Sequence, residues 1–85
     1  MANFLIAYDL KQQGQNYECM TQKLKDLRAF HSQYSVWLLK ADTTAAALRD
    51  HLKTCCDKND ELMVVEIETW ASYGMQPDAD YLNGK

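Results

Sequence analysis

Phe4-Leu5-Ile6-Ala7-Tyr8 is an unbroken apolar run that stops at Asp9. Its length and aromatic content mark a buried strand. A strand with one wet face alternates apolar and polar residues, and this run does not. Val36-Trp37-Leu38-Leu39 and Leu62-Met63-Val64-Val65 do not alternate either. Whatever sheet these runs build must therefore be covered on both faces. The chain has 85 residues to do this with. A domain that short buries only about 60–65% of the surface its unfolded chain exposes, so a partner would help it.

Between the apolar runs the spacing changes to three and four. Tyr17, Met20, Leu24 and Leu27 form one stripe, predicting a helix from about Asn16 to Leu27 after a polar loop over Lys11–Gln15. Ala45, Leu48, Leu52 and Cys55 form another, predicting a helix from about Thr43 to Cys55 with N-cap candidates in Asp42-Thr43-Thr44. Ala29 to Leu39 reads as a hairpin, with strands at about Ala29–Ser32 and Ser35–Lys40. One longer strand is the competing reading. Asp57-Lys58-Asn59-Asp60 is a turn, and Leu62–Ile67 is the last strand.

The order is strand, helix, strand, strand, helix, strand. That is the split βαβ pattern of an α+β, ferredoxin-like fold: a four-stranded antiparallel sheet with two helices on one face. We read residues 1–68 as this domain and 69–85 as a C-terminal arm. The second face is covered by a partner sheet or by the arm; in a chain this small the partner is favoured, as a sheet-to-sheet homodimer. Thr69–Tyr73 is a candidate fifth strand pairing with that partner, and Gly74–Lys85 is expected to fray. An end disordered throughout is the alternative.

The charge is uneven. Up to Val65 eight acids balance eight bases, whereas Glu66, Glu68, Asp78 and Asp80 face only Lys85 beyond it, giving a net charge of -3. Nucleic-acid binders ordinarily carry a basic excess, so strong nonspecific binding is not expected. An acidic aromatic arm suits a protein partner. The N-terminus lacks a basic leader and its apolar run is too short to span a membrane, so a cytoplasmic protein without membrane contact is expected. Cys19, Cys55 and Cys56 are odd in number, which predicts reduced thiols.

Asp9 is the leading site candidate. Magnesium takes oxygen ligands, often one or two carboxylates, and activates water. The plain reading is an Asp that caps a turn. Tyr8 points to the opposite face from Asp9 and reads as a core aromatic. His31 has acid–base capacity if it approaches Asp9, and otherwise is an exposed strand histidine. His51 and Cys55 have metal-compatible spacing, but Cys55 completes an apolar stripe. Lys11, Arg28, Lys40 and Arg49 are either phosphate contacts or solvated charges.

An apolar first strand ending in Tyr8-Asp9, a hairpin leading into Ser35-Val36-Trp37-Leu38, and an apolar strand after Asp60-Glu61 occur together. In this combination the chain resembles the second core protein of the CRISPR-associated set, the small spacer-acquisition endonucleases. It is similar too to the virulence-associated protein D toxins. The resemblance spans most of Asn3–Ile67. It implies a homodimer with facing sheets and a Mg2+ or Mn2+ ion between paired aspartates, here Asp9. It further implies either metal-dependent cleavage of RNA or DNA, or a non-catalytic role. The non-catalytic form would be a dimeric interaction module in a defence or anti-defence complex.

Overall fold

A computed structural model describes residues 1–11 and 15–84, with side chains at all of these except 15 and 16. The loop expected over Lys11–Gln15 falls mostly outside the described residues. The elements are β1 (Ala2–Asp9), α1 (Gln15–Asp26), β2 (Phe30–Gln33), β3 (Val36–Ala41), α2 (Ala45–Leu52), β4 (Glu61–Ile67) and α3 (Gln76–Leu82). A 3₁₀ turn over Lys53–Cys55 extends α2. The four strands lie in the order β2-β3-β1-β4, all neighbours antiparallel, as the α+β ferredoxin-like reading requires. Among the described residues no helix is long and apolar enough to cross a membrane.

Side chains along a strand point alternately to the two faces. Phe4, Ile6 and Tyr8 of β1 are buried on the face that carries α1 and α2, with Trp37 and Leu39 of β3 beside them. Met20 and Leu24 of α1, and Leu48 and Leu52 of α2, close this core. The predicted stripes are thus the buried stripes. Thr44 caps α2, its hydroxyl accepting from the Ala47 amide at 3.1 Å.

The end of α1 carries local strain. The Ala29 amide donates to the Leu24 carbonyl and the Arg28 amide to that of Lys25, which closes the helix with Arg28 in the left-handed region at φ 63°. A side chain there costs about 1–2 kcal/mol that glycine avoids. Arg28→Gly is expected to raise stability by about 0.5–1 kcal/mol in urea unfolding, since glycine gives back part of the gain as unfolded-state entropy. A loss of stability would show that Arg28 makes contacts outweighing its backbone strain.

The structure corrects three expectations. The arm does not form a fifth strand among the described residues; it turns at Gly74 (φ 70°) and enters α3. Pro77 lies in the first turn of α3, where its missing N–H is harmless. Nor does the arm need a partner in order to pack. The Asp78 carboxylate accepts from the Ser32 hydroxyl, Lys40 Nζ donates to the Leu82 carbonyl at 2.8 Å, and Tyr81 stacks on Phe30 at 5.3 Å. α3 thereby covers the β2–β3 half of the second face and leaves Leu38 only 5% exposed. Last, Cys19 and Cys55 are joined in a disulfide that links α1 to the turn after α2, with Cys56 left as a thiol. This replaces the reduced pair. The two cysteines are 36 residues apart in sequence, and only the packing of the helix layer brings them together.

The other half of the second face is open. The register sets Ala7 beside Met63 and Leu5 beside Val65. Met63 is 60% and Val65 41% exposed, with Trp70 of the arm at the border.

Candidate functional site

Asp9 ends β1 on that open face, because it shares the parity of Leu5 and Ala7. Its register partner is Glu61, the first residue of β4. Two carboxylates opposite one another on neighbouring strands repel. Lys11 relieves this: its Nζ lies 2.7 Å from Asp9 Oδ2 and 3.6 Å from Glu61 Oε1. All three side chains reach solvent.

Asp60 fixes the backbone around this trio. One of its carboxylate oxygens accepts from the Lys11 amide at 2.7 Å and the other from the Asp57 amide at 2.8 Å. The chain leaving β1 is thereby tied to the turn that enters β4. The bond to the Asp9 carboxylate, then its charge, holds the Lys11 ammonium above the ordinary lysine pKa, with a smaller contribution from Glu61.

The remaining candidates lie elsewhere. Tyr8 is buried on the helix face, where its hydroxyl accepts from Trp37 Nε1 at 2.9 Å. Burial pushes its pKa up, and the bond from Trp37 offsets part of that. His31 pairs in register with Trp37 and stacks flat on it, ring centroids 4.1 Å apart. It therefore belongs to the helix face, and the sheet separates it from Asp9. Its Nε2 is within 3.1 Å of the Tyr34 carbonyl. Cys55 is spent in the disulfide and is not available as a metal ligand beside His51. Lys40 caps α3, Arg49 pairs with Asp50 at 3.0 Å, and Arg28 closes α1. Of the four basic candidates, Lys11 is the one at Asp9.

Asp9 is the candidate that the sequence offers; its neighbours Glu61 and Lys11 come from the structure. The antiparallel register was the signal available, since it brings the end of the first strand to the start of the last.

The donor set suits a hard divalent ion in part. Asp9 and Glu61 offer carboxylate oxygens, the chemistry magnesium takes. Among the described residues of one protomer, no three His, Cys, Asp or Glu side chains are grouped to hold a metal. A second set of ligands would have to come from water, substrate or another copy of the chain. The family model described as CRISPR associated protein Cas2 matches residues 1–74.

Proposed function

We propose that this chain, which belongs to the CRISPR-associated Cas2 family, works as a homodimer that cuts phosphodiester bonds with a divalent cation. In this reading the open β1–β4 face is the seat of the second copy, and Asp9 of each protomer holds the ion. The observation that carries it is the sharing of one face by Asp9 and a strip made of the exposed Met63 and Val65 and their half-buried register partners Ala7 and Leu5. Burying that strip removes apolar area from water and brings the ends of both β1 strands toward one interface.

Mg2+ or Mn2+, when bound, lowers the pKa of a bound water and neutralises charge on the phosphate. The protein's own part is positional. Asp9 ends β1, paired in register with Glu61 of β4, and on the β3 side the preceding Tyr8 amide donates to the Ser35 carbonyl at 3.2 Å. Glu61 adds a carboxylate from β4, and Lys11 supplies the positive charge able to meet a phosphate oxygen.

Light scattering at micromolar concentration tests the assembly. Wild type is expected to be a dimer. Val65→Glu would set an unpaired charge at the middle of the interface and is expected to weaken association at least about 30-fold. Cleavage of labelled single-stranded RNA or duplex DNA should fall with it. A monomeric wild type would contradict the proposal.

One observation favours a second reading. Asp9 is already neutralised by Lys11, and the chain as a whole is acidic. A dimeric interaction module without catalysis, using the acidic arm toward a protein partner, needs nothing more. A folded dimer that cuts neither nucleic acid with Mg2+ or Mn2+ would decide for it.

A further inference from the structure

We infer that Lys11 is a tethered counter-ion that sets how tightly the Asp9 site takes a divalent cation, with Glu61 as the second carboxylate of that exchange. The inference deepens the metal-dependent reading above and rests on it.

Asp9 and Glu61 are register partners, so the backbone itself holds like charges side by side. Such a pair asks for a cation. Lys11 provides one from two residues away, 2.7 Å from the first carboxylate and 3.6 Å from the second. It is placed there by more than its own side chain, because the Asp60 carboxylate grips the Lys11 amide.

Lys11 is nevertheless easily displaced. Its ammonium sits on a flexible stem and the side chain is 49% exposed. Exposed ion pairs contribute little to folding, so exchanging this lysine for a neutral residue should leave the fold intact. A divalent ion entering between the carboxylates must displace the ammonium, which then stands free beside the ion to pair with a phosphate oxygen. Lys11 thus lowers metal affinity in the resting protein and favours loading when an anionic substrate takes up the lysine. It is a positioning residue in this scheme.

Manganese titration by calorimetry, on the full chain without nucleic acid, tests this. Lys11→Met is expected to bind Mn2+ about tenfold more tightly than wild type, since a nearby unit charge repels the ion. Lys11→Arg should restore the wild-type affinity, and Lys11→Gln guards against a fold defect peculiar to Met. Glu61→Gln added to Lys11→Met should remove most of the gain. Equal or weaker binding by both neutral variants would overturn the inference, as would a gain that survives loss of Glu61. Asp9→Ala separates the two claims. If it abolishes Mn2+ binding while Lys11→Met matches wild type, the metal site stands and the role of Lys11 falls. If no variant binds Mn2+ through Asp9, both fall.

Discussion

Phe4→Ala is expected to lose about 3–5 kcal/mol of folding free energy. Phe4 is fully buried on β1, the strand that pairs with both β3 and β4. Its register partners are Leu39 and Glu66. The ring belongs to the core cluster that α1 and α2 close, together with Ile6, Met20, Leu24 and Leu52. A truncation there removes burial and leaves a cavity that a central strand cannot collapse. Domains carry about 5–15 kcal/mol in total, so a large share of the stability is at stake. Urea unfolding at fixed protein concentration reads it. A cost below about 1 kcal/mol would mean that the helix layer does not pack on β1 as described.

Asp9→Ala is expected to reduce metal-dependent cleavage by at least about 100-fold, the scale seen when one charge-stabilising group is lost from an active site. The same change should leave the fold intact, because Asp9 is exposed and lies outside the core. Its ion pair with Lys11 is an exposed surface pair that contributes little to folding. The two readouts therefore separate: unfolding midpoint nearly unchanged, cleavage lost. Activity retained by the variant would place the chemistry at another residue.

Much of the fold can be read from spacing. The stripes Tyr17–Leu27 and Ala45–Cys55 are helical because burial on one side of a helix recurs every three or four residues. The apolar runs at Phe4, Val36 and Leu62 are strands for the same reason in reverse: they lack polar interruptions where one open face would demand them. That pattern predicts a cover on each face of the sheet. α3 supplies half of the second cover, and its seven residues are too few for a periodic signal. Gln76-Pro77-Asp78 was the local hint, a proline in a first helical turn followed by an acid. The disulfide had no local signal at all, since Cys55 completes the α2 stripe, Cys19 lies beside the α1 stripe, and only the helix packing joins them.

The site divides in the same way. Asp9 is visible because it ends an apolar strand. Its setting is not, because Glu61 and Asp60 lie some fifty positions away and reach it only through the β1–β4 register and a side-chain bond. His31 shows the converse. Its type suggested acid–base chemistry, yet strand parity puts it on the helix face against Trp37.

Anomalous scattering from crystals grown in millimolar Mn2+ tests the metal-bridged dimer most directly. Protomers are expected to be joined through the β1–β4 faces, with manganese held by Asp9 carboxylates at their interface. Manganese bound elsewhere, or protomers joined through another surface with the two Asp9 side chains far apart, would contradict it.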